Sequence, residues 1–337
     1  MSRPTLRQIA QAADLSPSTV SRVLRRVPGT SPAAREAVAV ALRGLGVEPS
    51  PDPGAPAAGP QLIGVVSNQL EEPDVDHYGT VALALNREIF ARGHIAVSAT
   101  AADDLDPVPA FAARGVAGAI VLGGAEAGRS APRLAQAGIP VVRISNAPHS
   151  GLPQFVLDAS SGIETAVRHL VHMGHRRIGF AVMQNSAAES RAHVFRQAVS
   201  QTLHVPATRS EAPVEFAREG QHAGTHAAEV LLAQDITAAI TTSPALTLGF
   251  FEATAQARLH VPRDLSLLSV GDLQDADVLD PPMSQVTYDW TRLAESAVAE
   301  LRRVIDQRAA GTQADAAHYR VVPELVLRAS IRPVTKR

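Results

Sequence analysis

Residues 5–24 read Thr5-Leu-Arg-Gln-Ile-Ala-Gln-Ala-Ala-Asp-Leu-Ser-Pro-Ser-Thr-Val-Ser-Arg-Val-Leu24, and their pattern is two short helices with a tight turn between them. Ile9, Ala10 and Ala13 give the first helix an apolar side. Asp14-Leu15-Ser16 breaks that pattern. Ser16 suits an N-cap, because its hydroxyl can accept from the free N–H groups of the next turn. Pro17 suits the first helical position, where no N–H is needed. Val20, Val23 and Leu24 then recur at helical spacing. The other side of the second helix carries Ser18, Thr19, Ser21 and Arg22: little bulk, hydrogen-bonding tips and one long cation. Those are the requirements of a helix lying in a DNA major groove. The plainer reading is an ordinary amphipathic helix pair.

The next segment favours the DNA reading. Ser31-Pro32 opens a third helix by the same cap-then-proline device, running through Val38 and Leu42 to Leu45-Gly46. The string Ile-Ala-x-x-Ala-x-Leu-Ser-x-x-Thr-Val-Ser-Arg-Val-Leu, followed by Val-x-x-Thr-Ser-Pro-x-x-Arg-x-x-Val, closely resembles the N-terminus of the lactose-repressor (LacI) family of bacterial transcription regulators. The resemblance covers most of residues 5–47.

Charge is distributed to match. Seven arginines in residues 1–46, against Asp14 and Glu36, give +5, and the whole-chain −2 leaves −7 for the rest. A basic head on an acidic body keeps the phosphate-seeking charge local. By residue type, Arg22 is placed for a bidentate contact to guanine, worth roughly 1–3 kcal/mol of discrimination. The resemblance implies that positions 17, 18 and 22 face the bases. Ser18 discriminates weakly, and Pro17 offers only an apolar edge, so direct readout is expected to be sparse. Thr5, Ser16, Thr19, Ser21 and Ser31 are candidate phosphate contacts, which position the module without reading sequence.

Residues 47–60 depart from the family. Prolines at 49, 51, 53, 56 and 60 fall where relatives carry a short hinge helix that wedges a leucine into the minor groove. Repeated proline removes donors and clashes with preceding turns, so this segment is expected to be extended. Fourteen such residues reach roughly 40 Å at ~3.1 Å each, against ~34 Å between half-sites. Tethered rather than clamped heads, tolerant of half-site spacing, are the expectation.

The chain has 337 residues, 45% of them hydrophobic, ample for packed cores beyond a small head. With no cysteine, disulfides and thiolate metal sites are excluded. No apolar run is long enough to span a membrane, and the N-terminus lacks a signal-peptide stretch, so a cytoplasmic protein is expected.

From residue 61 strands and helices alternate. Strand-like runs at 62–66, 95–98, 116–122 and 139–142 interleave with helical ones at 81–90, 107–114 and 131–137. After about residue 160 the pattern repeats: helix 161–173, strand 178–182, helices 187–202 and 220–233, strand 238–241, helix 245–257 and strand 265–270. Alternation implies parallel sheets with right-handed crossovers. The fold class is therefore α/β: a three-helix helix-turn-helix head (1–46), a Pro-rich linker (47–60) and a two-lobed body (61–334) with a cleft between its lobes. Here too the chain resembles the family, in Val156-x-Asp158, Gly162-x-x-x-Ala166-x-x-His169-Leu170, Gly174-His175-Arg-Arg-Ile178, Asp264-x-Ser266 and Pro281 to Asp289. The resemblance implies a periplasmic-binding-protein-like body, an effector cleft and a side-by-side homodimer. It divides the body into lobe one (about 61–157 plus 290–320, with a long helix at 290–309) and lobe two (about 158–289 plus 321–334).

The same resemblance nominates effector contacts: Arg191 in Ser-Arg-x-x-x-Phe, Tyr78 (with His77) at the cleft mouth, Phe216 as a stacking residue, and Asp158, Asp272 and Asp289 as polar partners. Two positions depart from the family. Ser243-Pro244 replaces an Asn-Asp pair, and Ser269-Val-Gly-Asp272 replaces Gly-aromatic-Asp-Asp/Asn, so acceptors for sugar hydroxyls are lost or moved.

Other constellations carry less. His169, His172 and His175 lack a completing carboxylate, so no metal is expected. His222 and His226 lack the glutamate of a zinc protease, and Gly123-Gly124 lacks the rest of a dinucleotide fingerprint. No nucleophile–base pair is arguable from spacing, so neither an enzyme nor a cofactor is expected. The leading expectation is a homodimeric repressor that binds a palindromic operator on double-stranded DNA and is modulated by a small carbohydrate-like metabolite. The absence of a leucine-heptad tail points to a dimer, not a tetramer. Two alternatives are a DNA-binding regulator without an effector switch, or with one not acting through hinge folding, and a solute-binding protein, which the basic head argues against.

Overall fold

The computed structural model describes residues 5–24, 31–45, 60–67, 77–100, 106–123, 125–148, 151–185, 187–205, 212–218, 222–312 and 315–334. Almost the whole Pro-rich linker, and the tethering expectation with it, lies outside them. The chain forms two units, Met1–Gln61 and Leu62–Arg337.

In the first unit three helices, α1 (Leu6–Ala12), α2 (Pro17–Leu24) and α3 (Pro32–Gly44), close around Ile9, Ala10, Ala13, Val20, Val23, Val38, Ala41 and Leu42. Each helix begins on a hydroxyl. Thr5 and Gln8 form a reciprocal capping box. Ser16 Oγ accepts from the Thr19 N–H at 3.1 Å, and Ser31 Oγ from the Ala34 N–H at 3.2 Å. The turn between α1 and α2 passes through Asp14 at φ 51°, a left-handed position that Asp tolerates better than most residues.

The second unit contains two sheets built to one plan. The first sheet has strands β1 (Leu62–Ser67), β2 (Ile95–Thr100), β3 (Gly118–Leu122), β4 (Val141–Ser145), β5 (Gln154–Leu157) and β11 (His318–Val321), in the order β11-β5-β4-β3-β1-β2, all parallel. The second has β6 (Ile178–Met183), β7 (Val214–Ala217), β8 (Ala238–Thr241), β9 (Ser266–Val270), β10 (Ser284–Thr287) and β12 (Glu324–Val326), in the order β12-β10-β9-β8-β6-β7. Only β12 runs antiparallel. Both sheets follow the doubly wound order 2-1-3-4-5, which places ligand crevices at the carboxyl ends of the strands.

Helices cover both faces of each sheet. In lobe one α4 (His77–Ala91) and α11 (Trp290–Ala309) bury Val81, Leu85, Leu293 and Leu301 on one face, and α5 (Pro107–Ala113) and α6 (Ala125–Gln136) bury Phe111 and Leu134 on the other. In lobe two α7 (Ala159–His172) and α8 (Ala188–Leu203) cover one face, and α9 (Ala223–Leu232) and α10 (Pro244–Gln256) the other. The chain passes between lobes three times: from β5 to α7, from β10 to α11 and from β11 to β12.

Candidate functional site: a helix-turn-helix head and an interlobe cleft

In the head, burial sorts α2 into two sides. Val20 and Val23 are fully buried, while Pro17, Ser18 and Arg22 are exposed. Thr19 and Ser21 are half-buried. The residues left facing solvent are therefore those with base- or phosphate-contacting chemistry. Thr5, Ser16 and Ser31 sit at helix starts, their oxygens committed to caps. Ser16 Oγ also lies 2.8 Å from Ser18 Oγ and 2.7 Å from Thr19 Oγ1, a hydroxyl cluster at the first turn of α2.

In the body a cleft with about 570 Å³ of empty space, part of it open to solvent, lies where the two lobes meet. Its polar lining is Arg191 from α8, Thr242 after β8, Tyr288 from the second crossover and Asn146 after β4. Its apolar lining includes Ile163, Val270, Val286 and Pro323. Two glycines make room. Gly271 sits at φ +152°, and a Cβ there would stand 3.3 Å from the Thr242 carbonyl oxygen. A Cβ on Gly162 would stand 3.1 Å from both Pro323 and Val286. The Thr242 hydroxyl is buried and has no hydrogen-bond partner. Burial, with Asp158 and Tyr78 nearby, pushes the Tyr288 phenol far above its ordinary range, outweighing the opposing pull of Arg191. Tyr288 therefore keeps its phenolic proton and can donate a hydrogen bond.

Of the effector residues expected from sequence, only Arg191 lines this cleft. Tyr78 is 2% exposed and packs in the lobe-one core with Val81 and Trp290, because it lies on the inward face of α4. Phe216 is half-buried on β7 and packs against the lobe-two core. Asp272 turns to accept the Thr287 hydroxyl at 2.9 Å. Asp158 and Asp289 stand at the first and second crossovers, where each caps the helix that follows: Asp158 accepts from the Ser161 N–H and Asp289 from the Arg292 N–H. Asp158 also pairs with Arg320 beside the third crossover, and its N–H donates to Val321 O. Burial alone would raise its pKa, but the Ser161 N–H and Arg320 outweigh it and hold the carboxyl below the usual range. Nothing in the sequence alone marks Thr242, Tyr288 or Asn146 as cleft residues. Tyr288 stands next to Asp289, and its place in a crossover between lobes is the nearest signal.

His175 is 2% exposed, its Nδ1 2.9 Å from Thr237 Oγ1 and its Nε2 3.1 Å from the Arg332 carbonyl oxygen. That is a buried neutral imidazole fastening the C-terminal segment. Among the described residues no group of three or more His, Asp or Glu side chains is placed to hold a metal ion, and no helix is long and apolar enough to cross a membrane.

A three-helix DNA-reading head on a doubly wound, two-lobed body defines a class: bacterial transcription regulators that couple a helix-turn-helix to a periplasmic-binding-protein-like domain. Comparison with known proteins agrees. Residues 5–50 match the family of bacterial regulatory proteins of lacI type, and residues 167–331 match a periplasmic binding protein-like domain. The chain is 33% identical to an uncharacterised HTH-type transcriptional regulator in the aml 5′ region of Streptomyces limosus, over 97% of this chain and 94% of that protein. It is 29% identical to the HTH-type transcriptional regulator MalR of Streptomyces coelicolor, over 96% of each. The chain belongs to the LacI family and is a DNA-binding transcriptional regulator. Its fold is shared with a CelR–cellobiose complex (TM-score 0.64, 22% identity, 97% of this chain and 100% of that one). It is shared also with a lac repressor dimer bound to operator and an anti-inducer (TM-score 0.64, 20% identity, 98% and 100%).

Proposed function

We propose that this regulator is a homodimeric repressor. In this reading α2 reads a palindromic operator through Ser18 and Arg22, and a small carbohydrate-like effector binds between the lobes against Arg191. The observation that carries the reading is the pairing of an exposed, polar α2 face with a cleft at the carboxyl ends of two doubly wound sheets. Relatives support the effector class: the CelR structure holds cellobiose, and a regulator of the same family from Enterococcus faecium holds ribose. Large apolar side chains left in solvent support the dimer. Leu83 and Phe90, seven residues apart on α4, are 61% and 78% exposed, and Val278 in lobe two is 74% exposed. Such a surface on both lobes suits a second copy lying alongside.

Capture of genomic fragments on the purified protein at near-physiological salt, followed by sequencing, tests this directly. A shared palindrome is expected, lost with Arg22→Ala. Enrichment without a shared site would replace the operator reading with phosphate-driven binding of low specificity.

A further inference from the structure

The lobe-two wall of the cleft and Tyr288 on the second crossover offer hydrogen-bond donors, and no Asp or Glu is among the described lining residues. Arg191 brings a fixed fork of N–H groups, suited to bidentate pairing with carboxylate or phosphate. Thr242 brings a hydroxyl that is buried without a partner, an arrangement that costs free energy until something bonds to it. Tyr288 brings a phenol held in its protonated form by burial. At the two positions where the family resemblance implies acceptors, this chain carries Ser243-Pro244 and Gly271. Position 271 is a glycine whose φ and 3.3 Å approach to the Thr242 carbonyl oxygen disfavour a side chain. Ser243 is 2% exposed and spends its oxygen capping α10 through the Leu246 N–H. Asp272 is turned onto Thr287, and Asp158 is held by Arg320. Among the described residues no Asp or Glu lines the cleft.

A neutral sugar presents hydroxyls, which need acceptors as well as donors. A wall of this composition is better matched by a ligand that is itself an acceptor. We propose that the effector is an anionic carbohydrate, a sugar acid or sugar phosphate, whose carboxylate or phosphate meets Arg191, with Thr242 and Tyr288 donating to its remaining oxygens. This rests on the effector reading above and narrows it.

The test is calorimetric titration of the full chain with matched probes: glucose, gluconate, glucuronate and glucose 6-phosphate, and cellobiose beside cellobionate. An anionic member binding at least ~10-fold more tightly than its neutral counterpart is expected; that ratio corresponds to about 1.4 kcal/mol. The carboxylate and phosphate arms then say which anion the site takes. Arg191→Gln is expected to bring the anionic probe down to the neutral level. Thr242→Val is expected to weaken it several-fold, with Thr242→Ser restoring it. Circular dichroism of each variant separates lost binding from lost fold. Equal or tighter binding of the neutral partner overturns the anionic class and leaves the carbohydrate-effector reading standing. No binding by any probe, with operator binding retained, overturns both readings.

Discussion

The two lobes share a strand order and differ in how they fill it. Each first strand carries a glycine paired with an alanine on its neighbour: Gly64 with Ala119 in lobe one, Gly179 with Ala239 in lobe two. In lobe one the Phe111 ring presses onto Gly64, so a large side chain fills the space a small one leaves. In lobe two the tip of Ile236 covers Gly179, at 2.9 Å from a built Cβ. Lobe two places its closest approach elsewhere, between helices. Gly224 on α9 and Gly249 on α10 cross backbone to backbone, each inside contact distance of a Cβ placed on the other. One strand order therefore tolerates different packing, while among the described residues the cleft lining falls mostly to one side. Lobe two supplies Arg191, Thr242, Val270 and Gly271; lobe one supplies Asn146.

Substitutions to alanine separate these packings. Gly249→Ala would ordinarily gain ~1 kcal/mol of helix propensity. Here the added methyl meets the Gly224 backbone, which no rotamer can relieve, and a net loss of about 3 kcal/mol is expected. Gly64→Ala meets a buried ring instead, and about 1–2 kcal/mol is expected. Gly179→Ala meets a flexible tip and is expected to cost least. Denaturant unfolding of the three variants checks the order; Gly249→Ala as mild as Gly179→Ala would mean that the α9–α10 crossing yields easily.

The cleft asymmetry makes a second comparison. Arg191→Gln is expected to weaken effector binding ~10-fold or more and Asn146→Ala about threefold, read by titration with whichever probe binds. Equal losses would show that lobe one grips the ligand as firmly as lobe two.

A third comparison is acid sensitivity. His175 in lobe two is buried, and burial, reinforced by Arg332 and His169, lowers its pKa against the opposing Arg332 carbonyl. The unfolded chain protonates this ring near pH 6.5 while the folded chain resists, so the unfolded state binds more protons below that pH. Stability is therefore full above ~6.5 and falls as pH drops through that value toward the lowered one. Thermal melts from pH 7.5 to 5.5 are expected to fall less steeply for His175→Asn than for the parent protein. Parallel slopes would assign the acid sensitivity to other groups.

What sequence revealed followed from periodicity and caps. The α1–α2–α3 head was legible because Ser16-Pro17 and Ser31-Pro32 combine a cap with a helix start, and the alternation of strand and helix was legible in both lobes. The four-residue strands β5, β7 and β10 are interrupted by Gln154, Glu215 and Ser284-Gln285, and so carry too little apolar pattern to stand out, unlike the equally short Ala-Ala-Ile-Thr of β8. Strands β11 and β12 owe their place to sheet edges reached only after a long helix. Among cleft residues Arg191 was legible through its motif. Thr242 was not, because nothing local distinguishes a hydroxyl aimed at a cleft from one aimed at a backbone. Asp158 and Asp289 stand out in sequence as polar groups, but Asp-x-x ahead of a helix is also a cap signature, and the structure puts both to that use.

That use makes the crossovers the place where the lobes' asymmetry is weakest. Asp158 caps lobe two's first helix, Arg320 lies on lobe one's last strand, and the two side chains join. Arg320 is 71% exposed on its side chain, so solvent screens the pair and its contribution to stability is expected to stay below ~1 kcal/mol. Arg320→Ala should therefore barely move the melting temperature. Its removal lets the first and third crossovers part without touching the cleft lining, while the Asp158 N–H bond to Val321 O at 2.9 Å and the Ser161 cap persist. A shift of about twofold in effector affinity, with unfolding unchanged, would identify the pair as a bias on lobe closure. An affinity unchanged alongside unchanged unfolding would show that backbone bonds alone hold the crossovers, and that the lobes' relative positions are set by packing at Tyr288 and Trp290, whose rings lie 5.0 Å apart on the second crossover.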